Sequence, residues 1–429
     1  MQRIKATYAL VPGQGKEIKQ KMLRWADQFS IFLFLDSNSY PSVYDGYECL
    51  LAAGTAAPDD VVYSLSALQQ KYDTTKDWMF GHICYDYKNI LEPKLTTTYH
   101  DNIGFADMSF FRPGTVIYIN RAQTVLTIES FTRPDEIYSQ INETDITHLS
   151  APIPKLSFNS VMDKGVYLDT IAQLRNHIAD GDCYEINFCK EGSCNNAKII
   201  PLDVFNELNI LSPAPFAAYY RAHDAYLMCA SPERYLRKSG RKIVSQPIKG
   251  TAARGADAQQ DELNKKLLQT SIKERAENVM IVDLVRNDLS RCCETGSISV
   301  DDLFGIYTFP QVHQMISTVS GTMNKNASFS DAIRHSFPMG SMTGAPKFKV
   351  MQLIDKYEHA RRGLFSGSVG YITPEGDFDL NVIIRSLFYN ATTAYLSYQT
   401  GGAITYDSDA EKEWDEMRLK AWALERIFT

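Results

Sequence analysis

Lys249 has the surroundings expected of a reactive amine. It lies in residues 245–251, SQPIKGT, between an apolar residue and a glycine, after a predicted strand over residues 241–245 and before a charged helix. A lysine is a nucleophile only as the free amine, which burial or a neighbouring cation makes accessible near neutral pH. The alternative is a surface lysine in a strand-to-loop turn, and this stretch alone favours that alternative. The rest of the chain must decide between the two.

A carboxylate that could work with this amine precedes it in the chain. Glu233 lies in residues 231–234, SPER, in the predicted turn between two strands. A lone carboxylate in such a turn is as often solvated as functional. Across a β connection, however, Glu233 could lie near Lys249, and an acid opposite an amine suits protonation of a leaving hydroxyl group.

Two predicted helices carry acidic residues that could bind a metal ion. The first covers about residues 261–286 and the second residues 410–424. The residues concerned are Glu277, one turn after Lys273, in the first helix, and Glu413, Glu416 and Lys420, on one face, in the second. Mg²⁺ takes one or two carboxylates and completes its octahedron with water and ligand oxygens. The alternative in each helix is an ordinary surface pair of Glu and Lys one turn apart.

Two glycine-rich stretches could approach an anion through their backbone. Residues 337–347, FPMGSMTGAPK, run into a predicted helix, so the loop around Ser341 would present free N–H groups at the positive end of the helix dipole. Gly402 belongs to a glycine pair that ends a predicted strand and lets the backbone approach a ligand closely. Each stretch could equally be a tight turn.

An arginine in an apolar strand is the more informative signal for an anion. Arg385 lies in residues 381–389, NVIIRSLFY, and a guanidinium in such a strand needs a paired anion. Tyr371, in residues 367–373, GSVGYIT, adds a phenol to the same predicted strand pair.

The elements that must position these residues are mostly short strands. Residues 31–35, IFLFL, predict a buried strand, and residues 115–120 and 124–130 predict a hairpin. Strands at this density indicate a large, mostly antiparallel sheet. The second part of the chain opens with a predicted helix that Gly181 ends, and its apolar stripe is Tyr167, Ile171, Leu174 and Ile178.

A stretch with two prolines, residues 149–155, is the best candidate for a boundary or crossover. It divides the chain into an N-terminal region over residues 1–150 and a second region over residues 151–429. All the candidate residues described so far lie in the second region.

The composition is that of a globular protein outside the nucleic-acid and membrane classes. Of the 429 residues, 44% are hydrophobic and 22% charged, and no basic block offsets the net charge of -7. No apolar run approaches membrane-spanning length, and the N-terminus lacks the apolar core of a signal peptide. Eight cysteines without CxxC or zinc-type spacing indicate reduced thiols. We therefore expect a cytoplasmic protein without nucleic-acid or membrane partners.

Five motifs, taken in order, resemble those of the chorismate-utilising enzymes, the family of anthranilate synthase component I. They are SQPIKGTAARG, SIKERAENVMIVDLVRNDLSR, FPMGSMTGAPK, GSVGYIT with NVIIRS, and GGAITYDSDAEKEWDE. The resemblance covers the chain from about Phe158 onward and is weaker before it. The lysine of PIKGT, where anthranilate synthases have an apolar residue, is similar to the aminodeoxychorismate synthase branch. The resemblance implies an α+β, four-layer α/β/β/α fold with a two-sheet, mostly antiparallel core. Residues 1–150 would be a region like anthranilate synthase component I, and residues 151–429 the chorismate-binding region. The two regions would form one compact unit.

The resemblance also implies a reaction and a set of roles. The reaction would be the Mg²⁺-dependent amination of chorismate at C4, with loss of the 4-hydroxyl group, to 4-amino-4-deoxychorismate for 4-aminobenzoate and folate synthesis. Lys249 would be the covalent nucleophile and Glu233 the acid that helps the hydroxyl leave. By matching position, Glu277 and Glu416, with Glu413 adjacent, would bind Mg²⁺. Ser341, Gly402 and Lys420 would surround the ring carboxylate of the substrate. Tyr371 and Arg385 would bind its enolpyruvyl carboxylate, and Thr251 would also contact the substrate. A dianionic substrate in an acidic protein needs such concentrated local cations.

Two positions depart from the family pattern, and one further segment resembles a ligand site. The family histidine falls at Gln314, with His313 one place early, which leaves its acid–base role without a residue. Glu185 stands where the family has glutamine, or lysine in the isochorismate branch, and the lack of lysine argues against water addition at C2.

Asp36 and Ser37 end a segment that resembles the tryptophan-binding segment of anthranilate synthases. A buried strand is the alternative there, and we prefer it.

Three functions remain open. Aminodeoxychorismate synthase comes first, anthranilate synthase second, and a non-catalytic binder of chorismate or tryptophan third. Lys249 argues against the second, and the intact acid, amine and metal-ligand set argues against the third, although the departures at Glu185 and Gln314 favour it. The sequence contains no glutaminase module with a nucleophilic cysteine and no lyase extension. We therefore expect ammonia to come from solution or from a separate glutamine amidotransferase subunit, and pyruvate elimination to fall to another enzyme.

Overall fold

Short apolar runs form strands and longer amphipathic segments form helices in the computed structural model, which describes residues 2–41, 44, 46–146, 152–310 and 312–429. The strands are β1 (Ile4–Ala9), β2 (Ile31–Asp36), β3 (Tyr47–Thr55), β4 (Val61–Val62), β5 (Met79–Ile83), β6 (Met108–Phe111), β7 (Pro113–Asn120), β8 (Val125–Ser130), β9 (Glu185–Cys194), β10 (Phe216–Ala222), β11 (Ala225–Ser231), β12 (Arg234–Ser239), β13 (Lys242–Gln246), β14 (Ile248–Ala253), β15 (Ser299–Thr308), β16 (Val312–Thr322), β17 (Gly344–Ala345), β18 (Ser368–Ile372), β19 (Phe378–Asn381), β20 (Ser386–Asn390) and β21 (Tyr395–Ile404).

The helices are α1 (Gly15–Ala26), α2 (Leu65–Thr75), α3 (Lys88–Leu91), α4 (Pro134–Glu143), α5 (Lys164–Ala179), α6 (Pro201–Leu211), α7 (Ala258–Thr270), α8 (Ile272–Ser290), α9 (Phe329–Ser336), α10 (Lys347–Tyr357) and α11 (Ala410–Glu425). Short 3₁₀ turns cover Tyr85–Tyr87, Gly340–Met342 and Arg426–Phe428. In the part of the chain described here, no helix is both long and apolar enough to cross a membrane.

The strands pair into two antiparallel sheets. Within the described residues, eleven strands form the first sheet, in the order β1-β8-β7-β3-β2-β10-β11-β20-β21-β9-β17. Ten form the second, in the order β14-β16-β13-β12-β19-β18-β5-β6-β4, with β15 paired to β16. Strand β2 pairs with β10, and β5 pairs with β18. The regions before and after residue 150 therefore share both sheets.

The layers follow from the burial of each sheet face. One apolar core joins the two sheets and includes Leu33, Leu227, Phe80 and Leu236. Helices α8 and α9 add to this core, while α1, α4, α6 and α11 pack on the first sheet around a second core that includes Ile18, Ile137, Phe205 and Leu424. Apolar side chains of adjacent layers exclude water from both junctions. The predicted α+β, four-layer α/β/β/α architecture is confirmed.

Several predicted elements occur as expected. The apolar run after residue 30 is the buried strand β2, and the predicted hairpin is β7 with β8. The predicted helix before Gly181 is α5, and the helix predicted over residues 410–424 is α11. The predicted boundary lies partly outside the described residues, because residues 149–151 are not among them.

Three local predictions are wrong. The single helix predicted over residues 261–286 is two helices, because Ser271 leaves helical geometry and its side chain caps α8 by accepting a hydrogen bond from the Glu274 N–H. Gly402 lies inside β21, not at its end, since residues 395–404 pair without interruption with β9. Lys249 lies in a strand of its own, β14, and not at the end of the strand predicted over residues 241–245.

Candidate active site

The amine of Lys249 lies in a buried ion pair. Its side chain is 7% exposed, and Nζ donates to Oε1 of Glu185, which is 1% exposed. Lys249 comes from β14 at the edge of the second sheet, and Glu185 from β9, next to the edge of the first sheet. The cleft between these two edges is the candidate active site.

The glycine after Lys249 is required by two features of the site. Gly250 has a φ of +92°, a conformation that side chains rarely adopt. A Cβ at this position would also lie 2.9 Å from Oε2 of Glu274 on α8. The KG pair of the motif therefore lets β14 run close against α8 and holds the lysine towards the cleft.

Burial alone would favour a neutral lysine, but carboxylates oppose it. Burial is the largest influence and lowers the pKa of Lys249, whereas the charges of Glu185, Glu277 and Glu233 raise it. The net effect is a pKa above the ordinary value, so the resting side chain is an ammonium ion. The sequence-based expectation that burial frees the amine is thus wrong for the resting site.

Glu233 lies where the chain crosses between the sheets. Strand β11 belongs to the first sheet and β12 to the second, and Glu233 is in the connection between them. Ser341 Oγ donates a 2.6 Å hydrogen bond to Oε1 of this buried carboxyl. Burial raises the pKa of Glu233 to about 7, against the opposing effects of Ser341, Lys249 and Arg385. A carboxyl with this pKa can donate a proton near neutral pH.

Arg385 faces the same carboxyl from just before β20. Its φ is +52°, in the left-handed region that is unusual for a non-glycine residue, and its carbonyl oxygen accepts from the Ala230 N–H at 3.2 Å. Burial lowers the pKa of Arg385, partly offset by Glu233 and Tyr40. Among the described residues, its guanidinium makes no hydrogen bond or ion pair, and such a cation suits an anionic ligand group.

The acidic residues of the two helices meet around Lys273. Its Nζ lies 3.7 Å from Oε1 of Glu277 on α8 and 3.5 Å from Oε1 of Glu413 on α11. Glu413 also accepts from Ser408 Oγ at 2.9 Å. Burial raises the pKa of Glu277 to about 7, against the effect of Lys249. The ammonium of Lys273 therefore bridges the two helices where a divalent cation could do so.

Glu416 and Lys420 lie at the outer rim of this cluster. They form an ion pair of 2.8 Å, which lowers the pKa of Glu416, and Lys420 Nζ also donates to the Gly401 carbonyl oxygen at 2.8 Å. Gly402 faces Glu413, since a Cβ there would lie 3.1 Å from Oε2. Both helices thus contain a Glu–Lys pair one turn apart, Lys273 with Glu277 on α8 and Glu416 with Lys420 on α11. Such surface pairs were the alternative to a metal site in the sequence.

The donor set nevertheless fits a hard cation that retains water. Oε1 of Glu277 is buried and has no hydrogen-bond partner within the described residues. No group of three or more His, Cys, Asp or Glu in that part of the chain is arranged to hold a metal ion by itself. Mg²⁺ needs only one or two carboxylates when water and ligand oxygens complete its shell. Glu277 with Glu413 or Glu416 could provide them.

Tyr371, Asp36 and Ser37 lie away from this cleft. Tyr371 lies in a second pocket that Asp36 and Ser37 also line. Its ring packs against an aromatic cluster, 5.8–6.2 Å between centroids, formed by Tyr47, Trp78 and Phe80. The structure therefore does not bring Tyr371 together with Lys249. Thr251 is two residues beyond Lys249 in β14, and its side chain is exposed.

Asp36 and Ser37 have protein partners in that second pocket. Asp36 pairs with Lys19 at 2.7 Å, and Ser37 Oγ donates to Glu48 at 3.0 Å while accepting from Arg121 Nη1 at 2.6 Å. These contacts close the end of the buried strand β2.

His313 and Gln314 point in opposite directions from β16, as adjacent strand residues must. His313 is buried between Thr308, 3.0 Å from Nδ1, and Asp261 of α7, 2.9 Å from Nε2. Gln314 pairs across the sheet with Thr251, and its Oε1 is buried without a hydrogen-bond partner in the described part of the chain. His313 is thus engaged with α7 and does not replace the residue missing at position 314.

A buried ion pair that the sequence analysis missed positions both sides of the cleft. Arg362 pairs with Glu358 at 2.6 Å and also donates to the carbonyl oxygens of Met342 at 2.6 Å and Asn187 at 2.8 Å. Glu358 accepts from the Cys189 N–H at 2.8 Å. The pair thereby ties the Ser341 loop to β9, which carries Glu185. The only sequence signal was a Glu and an Arg four residues apart, a pattern that is common on surfaces.

Comparison with solved structures identifies the class of fold. Anthranilate synthase component I from Streptococcus pneumoniae TIGR4 superposes with a TM-score of 0.71 at 22% identity, over 98% of this chain and 92% of that one. The menaquinone-specific isochorismate synthase MenF from Escherichia coli gives 0.75 at 18% identity, over 100% and 94%. The fold is that of the chorismate-utilising enzymes.

Sequence comparison places the chain within a family. Residues 35–426 match the family described as chorismate binding enzyme. The chain is 41% identical over 267 residues to the aminodeoxychorismate synthase of Streptomyces griseus, covering 62% of this chain and 36% of that protein. It is 38% identical over 255 residues to aminodeoxychorismate synthase component 1 of Klebsiella aerogenes, covering 59% and 56%. It is also 32% identical over 350 residues to an anthranilate synthase component I-like protein of Synechocystis, covering 81% and 71%.

The chain belongs to the chorismate binding enzyme family, which confirms the resemblance found in its motifs. It spans about a third of the length of the Streptomyces and rice aminodeoxychorismate synthases that it matches.

Proposed function

We propose that this protein aminates chorismate at C4, replacing the 4-hydroxyl group with an amine to give 4-amino-4-deoxychorismate, the precursor of 4-aminobenzoate. The observation that carries the proposal is the placement of Lys249 in a buried cleft with Glu233, a carboxyl whose pKa is about 7. A nucleophilic amine and a proton donor are the two groups that displacement of a hydroxyl needs. Relatives named aminodeoxychorismate synthase support the choice of reaction.

The cleft offers each part of the substrate a partner of suitable charge. The guanidinium of Arg385 would bind one carboxylate, because it is half-buried and forms no ion pair with an anion among the described residues. Ser341 would hold Glu233 in place through its hydrogen bond. Glu233 would then donate its proton to the leaving 4-hydroxyl oxygen, and Lys249 would form the transient bond to the ring. Lys420, at the rim, would add positive charge beside the second carboxylate.

Glu277, with Glu413 and Glu416, would hold Mg²⁺. When bound, the ion would neutralise the substrate's ring carboxylate and the acidic helix faces. Lys273 would have to leave its place between Glu277 and Glu413 to make room.

We infer that ammonia is supplied by a separate glutamine amidotransferase subunit. Relatives named component 1 support this, since that name implies a second component. Free ammonium should replace the subunit in a purified system.

The test is product analysis by chromatography and mass spectrometry. The purified chain is incubated with chorismate, Mg²⁺ and ammonium beside Lys249→Ala, and beside Lys242→Ala as a matched control, because Lys242 is an exposed lysine on β13, the strand that precedes β14 in the chain. We expect 4-amino-4-deoxychorismate from the wild type and the control, and much less from Lys249→Ala. Anthranilate and pyruvate from the wild type would instead identify an anthranilate synthase. No turnover, even with an added glutaminase subunit, would indicate a binding protein.

A further inference from the structure

The contact between Lys249 and Glu185 is buried. Both side chains are buried, and Nζ donates to Oε1 of Glu185. Within the described residues, no other acceptor lies within hydrogen-bond distance of Nζ. A proton that leaves this amine therefore has one direct destination.

Glu185 is fixed in place, but only one of its two carboxylate oxygens has a hydrogen-bond partner among the described residues. The backbone pairs Ala345 with Glu185 and Gly344 with Ile186, and a Cβ on Gly344 would lie 2.1 Å from the Glu185 carbonyl oxygen, so β17 presses directly on this residue. Its second carboxylate oxygen, Oε2, is buried without a hydrogen-bond partner in the described part of the chain. Glu185 therefore keeps an unused acceptor position inside the protein.

The groups that face the pair keep Lys249 charged at rest. They are Glu274 and Glu277 of α8, Glu233 of the β11–β12 connection, Glu416 of α11 and the thiol of Cys189 on β9. Glu185 itself, followed by Glu277 and Glu233, raises the pKa of Lys249 against burial, and together they hold the ammonium form, which has no lone pair with which to attack. Solvent has little access to a side chain that is 7% exposed. A nucleophilic role for Lys249 therefore requires a base inside the cleft.

We propose that Glu185 is this base and accepts the proton of Lys249, an assignment that rests on the proposed function. In the step, a proton moves from Nζ to Oε1, which converts the buried ion pair into a neutral amine and a neutral carboxyl. The amine's electron pair forms a bond from Nζ to a ring carbon, the ring double-bond electrons shift towards C4, and the C4–O bond breaks. The leaving oxygen takes the proton of Glu233 and departs as water. When ammonia bonds at C4 and the Nζ–carbon bond breaks, Glu185 returns its proton to Lys249, and solvent restores that of Glu233.

The alternative role for Glu185 is a passive partner that only holds Lys249 in place. The two roles predict opposite results for Glu185→Gln, which keeps the size of the side chain but removes its charge. A passive partner raises the pKa of Lys249, so its removal frees the amine and leaves the reaction as fast as before or faster. A base is needed for each turnover, so its removal leaves deprotonation to solvent hydroxide.

The experiment follows adduct formation at Lys249 by intact-protein and peptide mass spectrometry. Chorismate and Mg²⁺ are added without ammonium to the wild type, Glu185→Gln, Glu185→Asp and Glu191→Gln, between about pH 7 and pH 9. Glu191→Gln is the matched control, because Glu191 is on the same strand, is half-buried and lines a different cavity. Where the adduct does not accumulate, kcat with saturating chorismate and ammonium is measured over the same range.

For the wild type and Glu191→Gln we expect the same pH profile, which falls above about pH 7 as Glu233 loses its proton. Each variant is therefore expressed as the ratio of its rate to the wild-type rate at the same pH. For Glu185→Gln this ratio should be about 1:100 or lower near pH 7, the usual contribution of a general base, and should recover about tenfold for each added pH unit. Glu185→Asp should give a ratio below one that does not change with pH, and it provides the test if Glu185→Gln does not fold. A ratio near one at every pH for Glu185→Gln, or a ratio that rises with pH for Glu185→Asp, would overturn the assignment alone. A wild type that forms neither adduct nor aminated product would overturn the proposed function first.

Discussion

Ser341 donates a 2.6 Å hydrogen bond to Glu233 across the junction of the two sheets. This bond stabilises the charged carboxylate and therefore lowers the pKa of Glu233, against burial, which raises it to about 7. The serine thus sets the pH range in which Glu233 can still donate a proton.

Ser341→Ala should raise the pKa of Glu233 further. A hydrogen bond to a charged group contributes about 1.5 kcal/mol or more, so the alkaline limb of the kcat/KM profile should move up by about one pH unit. The pH profile of chorismate turnover measures the shift. Glu233→Gln, which has no proton to donate, should lose the limb altogether. An alkaline limb that moves down in Ser341→Ala would contradict this role of the serine.

Lys273→Met should bind divalent cations more tightly than the wild type. The ammonium between Glu277 and Glu413 competes with a metal ion for the same oxygens, and its removal leaves the site more negative. Titration calorimetry with Mg²⁺, or electron paramagnetic resonance with Mn²⁺, measures the affinity without any turnover. Lys265→Met is the control, because Lys265 pairs with Glu262 on α7 and should leave the affinity unchanged. Weaker binding by Lys273→Met would mean that the lysine supports the metal site instead.

Local patterns predicted the groups that lie close together in sequence. The PIKGT stretch made Lys249 a candidate and SPER made Glu233 one, although each stretch alone suited a surface residue as well, and the spacing of Glu413, Glu416 and Lys420 predicted that they share one face of α11. Each of these predictions needs only the geometry of one strand connection or one helix.

Contacts between distant segments could not be predicted in this way. Glu185 is 64 residues before Lys249 and belongs to the other sheet, so no spacing rule brings them together. The face of β18 on which Tyr371 lies depends on its pairing with β5, where Tyr371 is opposite Phe80. The sequence therefore showed a phenol near Arg385 in the chain, whereas the fold places it in a different pocket.

Glu358→Gln should destabilise the protein strongly, because it leaves the buried guanidinium of Arg362 without its counter-ion. Removal of one partner of a buried pair costs about 3–5 kcal/mol, whereas an exposed pair contributes about 1 kcal/mol or less. Urea unfolding measures the loss, and Glu136→Gln, in the exposed pair with Arg133, is the matched control. Equal losses in the two variants would show that Arg362 finds another partner.

The buried imidazole of His82 should make stability fall with acid in a defined pH window. Burial lowers the pKa of His82 from 6.5 to about 4, while its ring nitrogens lie 3.0 Å from the Tyr220 hydroxyl and 2.8 Å from the Ala106 carbonyl oxygen. The unfolded chain binds this proton more readily, so the contribution of His82 is complete above about pH 6.5 and is lost as the pH falls through 4.

His82→Gln, which retains a hydrogen-bond donor and acceptor, should remove the pH dependence of stability that His82 contributes. The free energy of unfolding of the wild type, minus that of the variant, should fall by about 3 kcal/mol between pH 7 and pH 4. Taking the difference cancels the opposite contributions of Glu191, Glu233 and Glu277, whose pKa values burial raises to about 7. Denaturant titrations at several pH values measure both curves. A difference that stays constant across the window would show that His82 takes up its proton as readily in the folded protein as in the unfolded chain.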